Sequence, residues 1–269
     1  GKDNSAKAEM GVNTYKLIEI FRAMSYKLGE TVSDLLDNSI DALATEIRIT
    51  YKLIESGAFL IISDNGAGLN ERNIDESMAI GANRKRDDSD LGKFGMGMKL
   101  SSMTQADTII LISKQKGHKP AIRTISYEHI FETKKVELLK YSSIDLTSNI
   151  NASDISDDLY DDIESSGSTL ILSDFRKSYD FNLVEHKKRH AKELNYLREF
   201  LSRTFEHHIK YDEIKIFLNE EELESLDPFY KNEKNTDEPR LGFEKHVVHF
   251  TYDDDPIKVE FLLLPPSYI

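Results

Sequence analysis

The spacing of apolar residues predicts three helices. The first spans residues 12–28 and ends at Gly29, because apolar residues recur there at three- and four-residue intervals: Leu17, Ile20, Phe21, Met24 and Leu28. A second helix fits residues 31–44, with Thr31 or Ser33 near its start. A third begins near Asn182, with one apolar stripe formed by Leu194, Leu197, Leu201 and Phe205.

Shorter apolar runs predict the strands. Residues 45–52 alternate between polar and apolar, whereas residues 57–64, "GAFLIISD", are continuously apolar and indicate a strand buried on both faces. Residues 108–114 and 168–174 predict two further strands, and 212–223 a strand and a turn. Residues 245–266 predict a hairpin whose turn holds Asp253, Asp254, Asp255 and Pro256. Residues 128–166 show no clear period, so we expect irregular structure there, with one short strand or helix.

These elements predict an α+β fold with a mixed sheet and helices on one face. Helices and strands do not alternate strictly, and the connections vary in length, which argues against a doubly wound parallel sheet. No low-complexity linker marks a clean domain boundary.

Composition narrows the classes of function. Hydrophobic residues make up 39% of the 269 residues, enough for a buried core, and no cysteine is present, which excludes thiolate catalysis and disulfides. No apolar run reaches the roughly 18 residues of a membrane span, and the first ten residues lack a signal-peptide core, so we expect an intracellular protein. The net charge of −13 disfavours nucleic-acid binding outside local basic segments such as 83–86 and 186–192.

Three stretches contain candidate chemistry. In "DLLDNSIDA" (34–42), Asp34 and Asn38 lie four apart on a helix and gather oxygen ligands that suit Mg²⁺, although a solvated acidic helix face fits as well. In "LIISDNGAGL" (60–69), Asp64 ends a buried strand before two glycines, and an ordinary Asx-Gly turn is the alternative.

The third stretch, "DLGKFGMGMKLSS" (90–102), places three glycines where a helix is about to begin. Glycine frees the backbone for unusual dihedral angles, and a helix start near Gly95 offers N–H groups to an anion. Polar residues 83–90 precede it, so we predict a lid that ends at a phosphate-binding helix; a merely flexible loop is the alternative.

Taken together, the order of these stretches resembles the motif series of the GHKL ATPases. "DLLDNSIDA", "DNGAG" and "GKFGMG" resemble the first three motifs, and "GST" (167–169) resembles the fourth. The resemblance covers roughly residues 10–175 and is greatest to the ATPase regions of MORC and MutL proteins. It implies a two-layer Bergerat-type sandwich over residues 1–180, followed over 181–269 by a linking helix and the start of a transducer-like α/β domain. It also implies that the chain is a piece of a longer protein.

The resemblance implies specific roles for site residues. Asn38 takes the magnesium-ligand position, and Asp64 accepts a hydrogen bond from the exocyclic amine of adenine. Ser168 takes the position of a threonine that supports adenine through water, with Thr169 as the neighbouring alternative. The remaining nucleotide contacts are expected from Asp41, Gly66, Gly68, Met78, Asn83, Gly92, Lys93, Phe94, Gly95, Met96, Gly97 and Lys99.

One residue departs from the family pattern. Asp34 stands where the relatives carry the glutamate that orients the attacking water, and its carboxylate is one methylene shorter. Glu30, one helical turn earlier, is the alternative base. We therefore expect Mg²⁺-dependent ATP binding with slow hydrolysis to ADP and phosphate.

The resemblance leaves three functions open. The first is an ATPase clamp that forms a homodimer when ATP binds, with DNA contacts supplied by regions outside this chain. The second is the catalytic domain of a histidine kinase, and the third is a nucleotide sensor that has lost hydrolysis. A cytoplasmic location is expected, or a nuclear one if the protein is eukaryotic.

Overall fold

The computed structural model of the chain describes residues 14–24, 26–78, 97–141, 165–212, 214–226, 244–252 and 255–263, with residues 97–100 and 244–263 described by their backbone course. The chain divides into two compact units, Gly1–Glu224 and Ser225–Ile269. Within the described residues, the first unit is a mixed sheet with helices on one face, as predicted. No described helix combines the length and apolar character needed to cross a lipid bilayer.

Eight described strands form the sheet of the first unit, in the order β5-β4-β3-β6-β2-β1-β7-β8. All neighbours are antiparallel except β1 and β7, which run parallel. The strands are β1 (Glu46–Ile54), β2 (Gly57–Asp64), β3 (Ala106–Lys114), β4 (Ala121–Ser126), β5 (Leu139–Tyr141), β6 (Gly167–Phe175), β7 (Lys215–Leu218) and β8 (Glu221–Glu222).

Two apolar clusters explain the continuous apolar run of β2. Leu60 and Ile62 point into the main core, where the helices contribute their buried side chains. Phe59 and Ile61 point to the opposite face and pack in a second buried cluster with residues of β3, β4 and β6. A strand covered on both faces gains nothing from alternation, so both positions are apolar.

Seven helices are described, and their buried apolar residues lie in the main core. They are α1 (Thr14–Ala23), α2 (Leu28–Asp41), α3 (Glu71–Met78), α4 (Gly97–Gln105), α5 (Tyr127–Thr133), α6 (Val184–Thr204) and α7 (Glu206–Tyr211). The apolar stripe predicted for the third helix is confirmed. Leu197 and Leu201 of α6 are buried, and so is Phe205, the C-cap residue of this helix.

The prediction for the first helix was wrong about where the helix ends and about which of its residues face the core. Helix α1 ends at Ala23, and Gly29 lies in the first turn of α2, where a Cβ atom would stand 2.8 Å from the Phe200 ring. Glycine is therefore required here for close packing of α6 on α2 and does not end a helix. Ile20 and Met24 are 62% and 54% exposed.

Strand β4 was missed because it carries a charge into the interior, and α3 was missed because it is mostly polar. Residues 128–166, expected to be irregular with one short element, contain most of a helix, Tyr127–Thr133, and the strand β5. Strand β4 has Arg123 at its centre, 1% exposed, which interrupts its apolar pattern. Helix α3 is mostly polar, and Asn70 caps it by accepting hydrogen bonds from the Arg72 and Asn73 amides at 3.0 Å. The Arg123 guanidinium binds Asp75 and Glu71 of α3, so each element satisfies the charge of the other.

The second compact unit contains a described antiparallel hairpin, β9 (Glu244–Tyr252) with β10 (Asp255–Leu263). The predicted hairpin is confirmed, but Asp255 and Pro256, which the sequence placed in the turn, belong to β10. Asp253 and Asp254 lie outside the described residues. The predicted domain division near residue 180 stays a prediction; α6 packs on α2, and β7 pairs with β1, in the first unit.

Candidate functional site

The acidic end of β2 lies beside the last turn of α2. Asp64 is the last residue of β2, and its Oδ2 accepts a hydrogen bond from the Ser39 hydroxyl at 3.0 Å. Its Oδ1 accepts one from the Gly66 amide at 2.9 Å. These two contacts fix the carboxylate of Asp64 against the helix that carries Asp34 and Asn38.

Burial raises the pKa of Asp64 above its ordinary value, although hydrogen bonds from the Gly66 amide, the Ser39 hydroxyl and the Ser168 backbone oppose this shift. A carboxylate held in a partly buried place by a few donors keeps further lone pairs for a ligand donor. Perturbed acids of this kind are common in binding sites.

The loop after Asp64 depends on its glycines. Gly68 has a φ of +64°, and a Cβ atom there would stand 1.9 Å from the Lys114 carbonyl oxygen. A Cβ atom on Gly66 would stand 2.8 Å from the Ala42 carbonyl oxygen. The loop therefore passes tightly between the C-terminal end of α2 and the ends of β3 and β6.

Asn65 and Ser166 hold this loop in place. Asn65 Oδ1 accepts hydrogen bonds from the Thr45 and Glu46 amides, both at 2.9 Å, which ties the loop to the start of β1. Ser166 Oγ donates to the Gly66 carbonyl at 2.8 Å. A fixed loop of this kind leaves the pocket floor formed before any ligand arrives.

Gly68→Ala should destabilise the protein much more than Gly117→Ala. Both positions have a positive φ, but an added Cβ at Gly117 meets nothing within 4 Å. The left-handed backbone costs alanine about 1–2 kcal/mol at either site, and only Gly68 adds a collision with backbone. Urea unfolding of the two variants would measure the difference, and equal losses of unfolding free energy would contradict the tight loop.

Ser168 and Thr169 project to opposite faces of the sheet. Ser168 pairs with Asp64 across the strands, so its side chain lies on the Asp64 face, where its hydroxyl is 2.8 Å from that of Ser113. Thr169 is fully buried on the other face, and its hydroxyl is 3.0 Å from that of Ser63. The geometry therefore supports Ser168 and not Thr169 as a pocket residue.

Helix α2 carries a cluster of acidic residues around Asn38. Asn38 is exposed, and its Nδ2 donates to the Asp34 carbonyl at 2.5 Å, which orients the side-chain amide. Loss of hydration raises the pKa of Asp34, and that of Asp37, whose neighbours Asp34 and Asp41 raise it further. This concentration of negative charge favours a cation.

Helix α4 packs along α2 at the same place. The Ser101 hydroxyl makes a hydrogen bond to the Asp34 carboxylate, and Thr31 Oγ1 donates to the Ser101 carbonyl at 3.4 Å. Glu30, the alternative base, is exposed and accepts a hydrogen bond from the Lys27 amide at 3.0 Å, so it caps α2. Asp34 is therefore the carboxylate that faces α4.

The remaining predicted site residues differ in how much of them the structure describes. Met78 ends α3 and is 1% exposed, and Asp41 is exposed at the last residue of α2. Gly97 and Lys99 belong to α4, of which only the backbone is described there. The others lie outside the described residues: Asn83, Gly92, Lys93, Phe94, Gly95 and Met96.

Sequence reasoning missed the residues that position the site. Ser39 and Ser113 are buried serines that contact Asp64 and Ser168, and Ser101 contacts Asp34. The signal for Ser39 was present, because it occupies a polar place on the inward, otherwise apolar face of α2. Among the described residues, no group of three or more acidic or histidine side chains is arranged to hold a metal ion by itself.

Comparison with known proteins gives consistent matches over this region. Residues 26–156 match the family described as histidine kinase-, DNA gyrase B- and HSP90-like ATPase. The chain is 31% identical over 122 residues to the protein MICRORCHIDIA 5 of Arabidopsis thaliana, which covers 40% of this chain and 17% of that protein. It is 36% identical over 91 residues to the DNA mismatch repair protein MutL of Ehrlichia chaffeensis, 32% of this chain and 13% of MutL.

A third relative is the ATPase MORC2B of Mus musculus, 30% identical over 90 residues, which is 32% of this chain and 9% of that protein. The matched part thus spans less than a fifth of each of these relatives.

Proposed function

Because residues 26–156 are a GHKL-type ATPase region similar to those of MORC and MutL proteins, we propose that the chain binds Mg²⁺-ATP and hydrolyses it slowly. The observation that supports this most directly is the Asp64 carboxylate, held by Ser39 of α2 and by the Gly66 amide. Asp64 accepts the adenine amine, and Ser168, on the same face, supports the adenine from β6.

The side chains of α2 fit a magnesium ion. Mg²⁺ prefers oxygen ligands and is usually held by one or two protein groups together with phosphates and water. Asn38 supplies an amide oxygen as the ligand, and Asp34, Asp37 and Asp41 supply the negative potential. A bound Mg²⁺ would neutralise the charge of the phosphates.

Hydrolysis requires a base next to the terminal phosphate. The Asp34 carboxylate takes a proton from the attacking water, whose oxygen bonds to the terminal phosphorus as the bond to ADP breaks. The raised pKa of Asp34 makes it a stronger base than an ordinary aspartate. Because the side chain of Asp34 is one methylene shorter, its carboxylate does not reach the position that the glutamate takes in the relatives, and the reaction is therefore slow.

Asn38→Ala should weaken Mg²⁺-ATP binding by at least about tenfold, because even outer-shell changes at metal sites cost 10- to 100-fold in metal affinity. Isothermal titration would measure the affinity with Mg²⁺ and with a chelator, and the variant should match the wild type without metal. Asn73→Ala, an exposed asparagine on α3, is the matched control. Unchanged Mg²⁺-ATP affinity of Asn38→Ala would refute the metal assignment.

Asp34→Glu should raise the rate of phosphate release by about tenfold or more, because a misplacement of 1 Å costs on the order of a hundredfold. Asp37→Glu adds the same methylene to a neighbouring carboxylate and should leave the rate unchanged. Steady-state phosphate release would measure both variants. If the wild type and Asp34→Glu bind ATP but release no phosphate, the chain is a nucleotide sensor instead.

We also propose that ATP binding promotes a homodimer, and that any DNA contact comes from regions outside this chain. Exposed apolar side chains on and just after α1 support the first part, since Ile20 of α1 is 62% exposed and Met24 and Tyr26, which follow it, are 54% and 43% exposed. Light scattering with Mg²⁺ and a non-hydrolysable ATP analogue would test it, with a doubled mass as the expected result.

A further inference from the structure

We propose that Arg22 of α1 is a positioning residue for the nucleotide's phosphates, because it holds the C-terminal end of α4 in place. This inference rests on the proposed function and on the phosphate-binding helix start that the sequence predicts near Gly95, which places the other end of α4 at the phosphates. Arg22 lies outside the four sequence motifs, and its side chain is only 7% exposed.

The guanidinium of Arg22 binds the end of α4 directly. Its Nη1 donates to the Met103 carbonyl at 3.0 Å and to the Ala106 carbonyl at 3.5 Å. Its Nη2 pairs with Asp107 Oδ1 at 2.5 Å. The last carbonyls of a helix have no partner within it and carry partial negative charge, so a buried cation satisfies them well.

A second arginine completes the attachment. Arg176, just after β6, donates from its side chain to the Thr104 carbonyl at 3.3 Å and from its backbone amide to the Gln105 carbonyl at 2.9 Å. The same side chain binds the Arg22 carbonyl. Three of the last four carbonyls of α4 are thus held by Arg22 and Arg176.

Arg22 is itself fixed by its surroundings. The guanidinium carbon lies 3.5 Å from the centre of the Tyr127 ring, close enough for a cation–π contact. The Tyr127 hydroxyl in turn donates to Glu19 of α1 at 3.0 Å. A cation clamped by a ring, a carboxylate and two carbonyls has one position, which it imposes on α4.

Helix α4 is short enough to transmit that position along its length. Its nine residues span about 13 Å at 1.5 Å per residue, and a straight helix moves as one body. Contacts with α2 at Ser101 fix its middle beside Asp34. Because its middle is held at Ser101, a shift at Met103 tilts α4 about that point and moves Gly97, the first residue of α4, together with the N–H groups predicted to bind phosphate.

The test compares ligands with and without phosphates. Arg22→Met keeps the length of the side chain but removes the donors, and it should lower ATP affinity by at least about fivefold, the lower end of typical coupling between linked sites. Adenosine, which needs only the Asp64 end of the pocket, should bind it as tightly as it binds the wild type. Isothermal titration of both ligands, at a temperature where circular dichroism shows a folded protein, gives the comparison.

Asp107→Asn is the matched control. It removes the ion pair of Arg22 but leaves the donors that reach Met103 and Ala106, so ATP affinity should not change even if stability falls. Arg22→Lys keeps the charge without the planar fork and should fall between the wild type and Arg22→Met. It also serves as the test variant if Arg22→Met does not fold.

Two results would overturn the inference while leaving ATP binding intact. Equal losses of ATP and adenosine affinity in the Arg22 variants would mean that Arg22 only stabilises the fold. Unchanged ATP affinity would mean that it does not position α4. A wild-type protein that binds neither ligand would instead refute the proposed function.

Discussion

Asp64→Asn should weaken ATP binding by at least about a hundredfold without making the protein less stable. The change keeps the shape of the side chain but replaces one carboxylate oxygen with an NH₂ group, which presents donors where the adenine amine needs an acceptor. A site that recognises a polar group loses at least about a hundredfold in affinity when that match is broken, since sites built around a hydrogen bond discriminate by 10⁴ or more. Isothermal titration with Mg²⁺-ATP measures the loss.

The stability of Asp64→Asn follows from the pKa of Asp64. Burial raises this pKa above the ordinary value of 3.8, so the folded state disfavours the charged form more than the unfolded state does. The penalty is present in full above the folded pKa and disappears as the pH falls through it toward 3.8. Asp64→Asn should therefore match or exceed the wild type in melting temperature near neutral pH and lose this advantage in acid.

Asp174→Asn controls for the loss of a carboxylate. Asp174 is exposed at the other end of β6 and should tolerate the change with no effect on ATP affinity. If Asp64→Asn binds ATP as tightly as the wild type does, the carboxylate does not bind adenine. A large fall in its melting temperature would show that the charge stabilises the fold.

Arg123→Ala should destabilise the folded protein by about 1.5–3 kcal/mol, the usual net contribution of hydrogen bonds to charged groups, because the carboxylates left behind are exposed enough to be hydrated. Arg123 is 1% exposed, binds Glu71 Oε1 at 2.6 Å, and also binds Asp75 and the Ile122 carbonyl. Because α3 ends in the buried Met78, we also expect a lower ATP affinity under conditions where the variant is folded.

The comparison with Lys140→Ala isolates the buried charge. Lys140 pairs with the same Asp75 at 2.6 Å, but its side chain is 58% exposed, so its loss should cost less than about 1 kcal/mol. Arg123 lowers the pKa of Asp75, and Lys140 adds to this effect, so their stabilisation is lost as the pH falls through that lowered pKa. Urea unfolding at neutral and acid pH measures both effects, and similar losses for the two variants would contradict the buried pair.

The sequence predicted most reliably the parts of the fold whose pattern is purely apolar. The continuous run of β2 and the stripe of α6 were recognisable because apolar side chains fill both faces of one and a single face of the other. The inward face of α1 could not be recognised, because the charged residue Arg22 lies on it. Only the tertiary structure shows that a carbonyl of α4 and the Tyr127 ring bind the Arg22 guanidinium there. The same reason hid β4, whose buried Arg123 is satisfied by the carboxylates of the mostly polar helix α3.

The candidate site divides along the same line. Asp34, Asn38 and Asp64 were identified because their stretches, in that order along the chain, resemble the motif series of the GHKL ATPases. The choice between Ser168 and Thr169 depends on strand register, which pairs Ser168 with Asp64 and sends Thr169 to the other face. Register is set by long-range pairing, and no local pattern in "GST" contains it.

The parallel pairing of β1 with β7 has a consequence for how the chain folds during synthesis. Asn219 binds the backbone of Tyr51 through both atoms of its amide, across 168 positions of sequence. Until β7 and Asn219 leave the ribosome, the edge of β1 that they cover exposes unpaired backbone groups, which can pair with strands of other chains. We therefore expect chaperones to protect this edge of β1 longest during synthesis, while the strands on the other side of β1 are already paired.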